Sequence, residues 1–282
     1  MKMQIMCQKI FQVIIFALYQ RHRYNSHRLL RKVLLMGIIN LSKRLLKIAD
    51  YVPKGKSVAD IGSDHALLPS YLISKEIAPF VIAGELNEGP YQAAKKQISE
   101  LNIDNKVSVR EGDGLSVIMR EKIDVVTIAG MGGTLITEIL EKGKEHLKTV
   151  ERLILQPNVG EKPVRKWLDK NGWNLISEEI IEEDNIIYEI IVAVKRQSET
   201  DPVYENLALS KEKLYNIGPI LFMKKSDLTI KKWKQELEKK KFILNQLDKS
   251  KLLTEKKIKK EQVMAEIKMI KEVLFWLEKD KI

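Results

Sequence analysis

Acidic residues and a glycine stand close together after a short apolar run of this 282-residue chain. Asp60 lies near the end of the run 57–61, and Gly62 and Asp64 follow it. Glu85 follows the next apolar run, 80–83. A glycine lets the backbone approach a ligand, and a carboxylate at the end of the second strand accepts hydrogen bonds from ribose hydroxyls. The spacing therefore predicts a strand–helix–strand unit that binds a nucleoside.

The charge of the turn at 60–64 indicates whether the nucleoside ligand carries a pyrophosphate or a positive charge. A pyrophosphate binds exposed amide groups at a helix N-terminus, whereas Asp60 and Asp64 put two carboxylates at this place. Two carboxylates favour a ligand with positive charge, such as the ammonium and sulfonium groups of S-adenosylmethionine. The alternative is an ordinary turn in which the glycine and the aspartates only shape the backbone.

Five apolar segments, each followed by a helical or turn pattern, predict the elements that position these residues. Each predicted strand ends in a glycine-rich or polar break. The breaks are 62–65, 84–87, 112–114, 129–133 and 156–158. Thr134 is the predicted N-cap of the helix after the fourth strand. Two further strands, 173–181 and 186–194, complete a doubly wound α/β sheet with a final antiparallel strand. Ligands of such sheets bind at the carboxyl ends of the strands, so we expect the breaks to form one site.

From residue 201 onward the pattern changes to long helices that are rich in Lys and Glu. Apolar residues recur there at intervals of three and four. They are Ile230, Trp233, Leu237, Leu244 and Leu247, then Val263, Ile267, Ile270, Leu274 and Leu277. This pattern predicts an antiparallel helical hairpin with a coiled-coil seam. Residues 204–282 hold twenty lysines and twelve acidic residues. That surplus suits a polyanionic partner; a merely solvated surface is the alternative.

The composition excludes several classes of protein. The single Cys7 rules out an internal disulfide framework, and four scattered histidines lack metal-ligand spacing, so we expect no metal site. The apolar run 10–18 is shorter than the ~20 residues of a membrane helix. We therefore expect no membrane attachment and a cytoplasmic location. Residues 1–35 hold seven Lys or Arg and no acidic residue. We expect them to be a non-native extension from a wrong start assignment, or a disordered basic arm.

Seven short motifs, in this order, resemble the bacterial TrmK family of tRNA (adenine-22-N1)-methyltransferases. They are LSKRL at 41–45, DIGSDHA at 60–66, LP at 68–69, AGE at 83–85, VREGDGL at 109–115, IAGMGG at 128–133 and LILQPN at 153–158. The resemblance begins near residue 38 and is densest up to 195. It departs at Leu67, where an aromatic residue is expected. It implies a class I Rossmann-like methyltransferase domain at 36–200 and a Lys-rich helical coiled-coil domain at 201–282 that binds tRNA.

The same resemblance implies S-adenosyl-L-methionine as the cofactor and tRNA as the partner. The implied cofactor contacts follow the strand ends. They are Asp60, Gly62, Ser63 and Asp64 at the methionine part, Glu85 at the ribose, Gly112 and Asp113 at the adenine edge, Ala129, Gly130, Met131 and Gly132 facing the methyl group, and His65, Leu86, Asn87 and Gly114 beside them.

Methylation at N1 of adenine needs no strong base, because this nitrogen has a free lone pair at neutral pH. The protein must instead hold the base in line with the methyl group. We hypothesise that Asp64 and Asn158 orient the adenine and that Tyr188 provides a stacking face. The alternatives are that Asn158 only caps the next helix and that Tyr188 belongs to the core.

N1 lies on the pairing edge of adenine, so the nucleotide must first leave its stack or pair. We expect the Lys-rich hairpin to supply the compensating RNA contacts and the protein to act as a monomer. Two other functions remain open. One is methylation of another substrate, because this fold hosts many. The other is RNA binding without catalysis.

Overall fold

The computed structural model describes residues 39–197, 200–249 and 255–279; the expectations for residues 1–35 lie outside these ranges. The strands are β1 (Val58–Ile61), β2 (Val81–Glu85), β3 (Val107–Glu111), β4 (Val125–Gly132), β5 (Arg152–Val159), β6 (Trp173–Glu183) and β7 (Ile186–Lys195). The helices are α1 (Lys43–Asp50), α2 (Leu67–Ser74), α3 (Glu88–Leu101), α4 (Gly133–Lys142), α5 (Glu161–Lys170), α6 (Lys211–Ile217), α7 (Pro219–Lys224), α8 (Asp227–Lys249) and α9 (Glu255–Glu278).

The strands form one seven-stranded sheet in the order β3-β2-β1-β4-β5-β7-β6. Strands β1 to β5 are parallel, and β7 runs antiparallel to both β5 and β6. Every residue of β1 and β2 is buried, as is usual for parallel strands covered by helices on both faces. The predicted fold class is confirmed, and the carboxyl ends of the five parallel strands lie at one edge of the sheet.

The two long helices, α8 and α9, pair as the predicted antiparallel hairpin. Lys234 on α8 pairs with Glu278 on α9 at 2.8 Å, and Lys240 pairs with Glu266 at 2.6 Å. The residue number falls on α9 as it rises on α8, which fixes the antiparallel direction. The hairpin base is buried in the same core as β5 and α5. The buried base residues are Ile230, Trp233, Ile270, Val273, Leu274 and Leu277. The sheet and the hairpin therefore share one hydrophobic core.

A buried group of charged residues joins the hairpin base to the sheet; we call it the root cluster (Glu161, Arg165, Glu178, Glu189 and Lys232). The Arg165 guanidinium, fully buried, donates to Glu178 at 2.6 Å and to Glu189 at 2.5 Å. Lys232 of α8 bridges Glu189 at 2.6 Å and Glu161 at 2.5 Å. Because α5, β6, β7 and α8 each contribute to this cluster, it holds the hairpin base against the sheet.

Candidate active site at the carboxyl ends of the strands

The turn after β1 is tightly wound. Gly62 has φ +69° and donates its N–H to the Gly84 carbonyl at 2.9 Å. This φ favours glycine, and a Cβ there would lie 2.2 Å from the Met131 methyl group, which would have to move. The next residues, 64–66, are all left-handed, with φ of 42°, 61° and 53°. For residues other than glycine this conformation costs about 1–2 kcal/mol each. The strained backbone turns the N–H of Asp64 toward the end of β2.

Glu85, at the end of β2, receives the backbone N–H of Asp64 on its Oε1 atom at 2.6 Å. Glu85 is only 6% exposed, and its Oε2 has no hydrogen-bond donor among the described residues. Burial raises the pKa of Glu85, while the N–H of Asp64 opposes that rise. A buried carboxylate with one oxygen to spare fits a ribose hydroxyl. The predicted contacts Leu86 and Asn87 follow directly, and both are exposed.

The two aspartates of the first turn do not form the pair that the sequence predicts. Asp60 is buried, and its two carboxylate oxygens accept hydrogen bonds from Thr127 at 2.6 Å and Ser63 at 2.7 Å. Burial raises the pKa of Asp60. The Asp64 side chain is 83% exposed and lies 3.5 Å from His65. The Asp60 carboxylate is therefore buried, because the hydroxyl of Thr127 on the neighbouring strand β4 donates to it within the sheet. The Asp64 carboxylate, by contrast, is exposed to solvent.

The turn after β3 lies next to Glu85. Gly112 donates its N–H to the Glu85 carbonyl at 2.8 Å. A Cβ on Gly112 would come within 2.8 Å of the Ser116 hydroxyl, so this turn packs closely. Asp113 is exposed, 3.7 Å from the ammonium of Lys142, and Gly114 follows with φ +55°. The predicted contacts after β1, β2 and β3 are therefore neighbours.

A second group of side chains surrounds Gly130, at the ends of β4 and β5. Gly130 donates its N–H to Gln156 Oε1 at 3.0 Å and accepts from Asn158 Nδ2 at 2.8 Å. Gln156 is fully buried, and its Nε2 donates to Asn158 Oδ1 at 3.3 Å. These contacts fix the orientation of the Asn158 amide, because a flipped amide would put donor against donor and acceptor against acceptor. One N–H and one lone pair of Asn158 remain available.

Tyr188 lies beside this second group and is half-buried. The guanidinium of Arg44 is 5.5 Å from the centre of its ring. Arg44 Nη1 also donates to Gln156 Oε1 at 2.6 Å. No hydrogen bond or ion pair joins Asp64 to Asn158 or to Tyr188 in the described part of the chain. The three hypothesised catalytic residues are therefore divided: Asn158 and Tyr188 lie at β5 and β7, whereas Asp64 lies with Glu85.

Met131 connects the two groups. Its methyl group lies against Gly62, while its own backbone belongs to the irregular end of β4. A β-bulge between Ala129 and Met131 shifts the register with β5 at this point; bulges of this kind often re-aim groups beside active sites. Residues 129–132 thus lie between the Glu85 group and the Asn158 group.

A model of the family described as TrmK, tRNA (adenine(22)-N(1))-methyltransferase, matches residues 58–272. The chain belongs to the TrmK family. The tRNA (adenine(22)-N(1))-methyltransferase of Bacillus subtilis strain 168 is 42% identical over 239 residues, which cover 85% of this chain and 99% of that relative.

Two solved TrmK-type structures are similar over the same extent. The B. subtilis M1A22 tRNA methyltransferase TrmK superposes with a TM-score of 0.77 at 42% identity, covering 84% of this chain and 99% of that one. A Streptococcus pneumoniae protein, solved in complex with S-adenosyl-L-methionine, superposes with a TM-score of 0.71 at 38% identity, covering 83% and 100%.

Arg44 and Gln156 lie in this candidate site, but the sequence pattern assigns neither of them a role. Both fall in motifs of the family resemblance, LSKRL and LILQPN. The helical pattern, however, puts Arg44 on the polar side of α1, and nothing in the pattern distinguishes Gln156 from a buried strand residue.

The structure gives two further results for the ranges that it describes. No group of three or more His, Cys, Asp or Glu there could hold a metal ion, and no helix there is long and apolar enough to cross a membrane.

Proposed function

We propose that this protein transfers the methyl group of S-adenosylmethionine to N1 of adenine 22 in tRNA. The observation that carries the proposal is the family match over residues 58–272, which takes in the sheet and most of the hairpin. A family match confined to the sheet would indicate only a shared fold. The match to the hairpin as well supports a shared substrate.

The residues of the Glu85 group fit the cofactor. Glu85 has one oxygen available for a ribose hydroxyl, and residues 112–114 beside it are proposed to contact the adenine edge. Residues 60–65 are proposed to hold the methionine part, with the exposed Asp64 nearest to its ammonium group. Residues 129–132 then face the methyl group. When bound, S-adenosylmethionine supplies an electrophilic methyl on a cationic sulfur.

Asn158 is proposed to orient the target adenine. Its available Oδ1 lone pair can accept a hydrogen bond from the adenine amino group. That contact fixes the base and leaves the lone pair of N1 unblocked for attack. No proton has to leave N1 first, so the chain needs no general base at this step. Tyr188 is proposed to pack against the base with the part of its ring that Arg44 does not cover.

The Lys-rich helical region, residues 201–282, is proposed to bind tRNA. Its lysines give it a net positive charge, and neutralising phosphates releases counterions from the RNA. Those contacts offset the few kcal/mol needed to unstack the target nucleotide. We further propose that the protein works as a monomer in the cytoplasm. Sedimentation of the protein–tRNA complex measures its stoichiometry, and two protein copies per tRNA would contradict the monomer.

The decisive experiment compares two tRNA transcripts that differ only at position 22, adenine or guanine. The full-length protein and radiolabelled S-adenosylmethionine should label only the transcript with adenine. A reverse-transcription stop at position 22 should accompany the label, since N1-methylation blocks pairing. Equal labelling of both transcripts would contradict the site of transfer, and cofactor binding without any labelling would contradict the substrate.

A further inference from the structure

Arg44 is held at the carboxyl ends of β4 and β5 by contacts on both its backbone and its side chain. Ser42 caps α1 by accepting the N–H of Leu45 at 3.2 Å. The N–H groups of Lys43 and Arg44 donate to the Glu183 carboxylate at the end of β6, at 2.5 and 3.5 Å. The start of α1 is therefore fixed to the sheet, and Arg44 is directed by a rigid element.

The guanidinium is fixed as well. It donates through Nη1 to Gln156, lies over the Tyr188 ring, and comes within 3.7 Å of the place that a Cβ on Gly130 would take. A guanidinium has five N–H donors, and among the described residues only Nη1 meets a protein acceptor, so most of these donors are available. The Arg44 guanidinium is thus held in place while most of its N–H donors stay available for a ligand.

Among the described residues, Arg44 also has no carboxylate partner. In the ranges 39–197, 200–249 and 255–279, no Asp or Glu oxygen lies within 4.0 Å of its side-chain nitrogens. The Glu183 carboxylate binds the backbone of α1 instead. Asp60 is close enough for the Arg44 charge to counter, in part, the effect of burial on the Asp60 pKa, but Thr127 and Ser63 bind its oxygens. Arg110, Arg165 and Arg196 are ion-paired, whereas Arg120 and Arg152, like Arg44, have no ion pair within the described ranges.

We propose that Arg44 binds an oxyanion at the boundary between the cofactor and the target adenine. The inference rests on the proposed function and adds a binding residue to it. Two ligands in that reaction carry such a group: the α-carboxylate of S-adenosylmethionine and a phosphate that flanks the target nucleotide. Guanidinium donors suit both, since their planar fork matches carboxylate and phosphate oxygens.

The experiment uses Arg44→Gln and Arg44→Lys in the full chain, with Lys75→Gln as the matched control. Lys75 also lies over a tyrosine, Tyr71 at 5.8 Å, but it sits at the C-terminal end of α2. Calorimetry measures binding of S-adenosylhomocysteine and of methylthioadenosine, which lacks the carboxylate. The affinity for tRNA is measured over a range of salt concentrations. Loss of a charge-assisted hydrogen bond lowers affinity about 10- to 100-fold.

Each outcome decides the proposal. If the oxyanion is the carboxylate, Arg44→Gln weakens S-adenosylhomocysteine about 10- to 100-fold and leaves methylthioadenosine unchanged. If it is a phosphate, both cofactor analogues bind normally, while tRNA binds more weakly with a salt slope smaller by about one. Unchanged binding of all three ligands would overturn the proposal. So would equal weakening of both analogues together with a lower melting temperature, which indicates a structural role only.

These results are separable from the proposed function. If the wild-type protein methylated no tRNA, the cofactor measurements would still test Arg44. If it methylated adenine 22 but Arg44→Gln matched the Lys75→Gln control throughout, only the Arg44 inference would fail.

Discussion

Glu85 is the residue through which cofactor binding is most directly tested. Replacing it with Gln keeps the size of the side chain but removes the negative charge. The charged carboxylate accepts the N–H of Asp64 and, as proposed, a ribose hydroxyl. We expect S-adenosylmethionine affinity to fall roughly 10- to 100-fold, since each hydrogen bond to a charged group contributes ~1.5–3 kcal/mol. Calorimetry measures the change. Glu100→Gln, on the exposed end of α3, is the control and should bind normally.

Asn158 is expected to affect catalysis rather than cofactor binding. Asn158→Ala removes the hydrogen bond to the Gly130 carbonyl and the proposed hydrogen bond from the adenine amino group. We expect kcat to fall about tenfold or more, in line with the loss of one hydrogen bond in the reacting complex. Steady-state kinetics with tRNA measure this. Unchanged turnover together with normal cofactor affinity would remove Asn158 from the proposed mechanism.

At the residue scale, glycines and charged residues can be located from the sequence, but their partners cannot. The sequence places Gly62 and Glu85 at strand ends, and they are there. It does not reveal that Thr127 binds Asp60, because that hydrogen bond depends on the register of β1 against β4. Arg44 shows the same limit: its position follows from Glu183, a residue 139 positions away.

At the element scale, the sequence predicts the order of the strands and helices correctly, but it does not predict where helix α4 begins. The sequence predicts Thr134 as the N-cap of α4, but the helix begins two residues earlier than this predicts, with Gly132 as N-cap and no side-chain cap bond. The reason is close backbone packing: a Cβ on Gly133 would lie 1.8 Å from the Gly160 carbonyl oxygen. The approach of two loops, which sequence periodicity does not report, sets this helix start.

The root cluster should make an unusually large contribution to stability. Arg165→Met would leave Glu178 buried without a cation and Glu189 with Lys232 alone. We expect the free energy of unfolding to fall by about 3–5 kcal/mol, measured by urea denaturation. Arg110→Met is the control, since it breaks a more exposed pair with Glu121 and the hydrogen bonds to Ser108 and the Val117 carbonyl, and it should cost only about 1–2 kcal/mol. Similar losses in both variants would contradict this assignment.

Within the root cluster, Glu161 should make the protein sensitive to acid. Burial pushes the pKa of Glu161 upward, but the charges of Lys232 and Arg165 pull it below its ordinary value of 4.5. A carboxylate whose pKa is lower in the folded protein than in the unfolded chain stabilises the fold at pH values above its unfolded-state pKa. This stabilisation is lost as the pH falls through its folded-state pKa. We therefore expect Lys232→Met to reduce the slope of unfolding free energy between about pH 5 and about pH 3.

Lys231→Met provides the comparison for that measurement. Lys231 is the next residue on α8 and pairs with Glu182 on the surface. Because neither partner is buried, this variant should follow the wild-type acid profile. If Lys231→Met and Lys232→Met flattened the profile equally, the root cluster would not be the source of the acid sensitivity.

At the scale of the whole molecule, the hairpin should determine the salt dependence of tRNA binding. Lys239, Lys241 and Lys259 lie exposed along it. Replacing the three with Gln should lower tRNA affinity and reduce the slope of log K against log salt by up to about 0.9 for each phosphate that is no longer neutralised. S-adenosylmethionine affinity should stay the same. Filter binding at several salt concentrations measures the slope.

The matched control replaces three exposed lysines of the sheet region, Lys95, Lys96 and Lys144, with Gln. It removes the same charge from a different surface. An equal loss of tRNA affinity in this variant would mean that net charge, and not the hairpin, governs binding.

The shared core and the root cluster together hold the base of the hairpin against the sheet. Helix α8 has 23 residues, a length of about 35 Å at 1.5 Å per residue. A helix of that length, anchored at one end, sets the distance between the sheet and its far end. If the hairpin binds tRNA as proposed, the protein sets the distance from the RNA on its far end to the reacting methyl. A nucleotide is then selected by its position in the folded RNA and not by its neighbours in sequence.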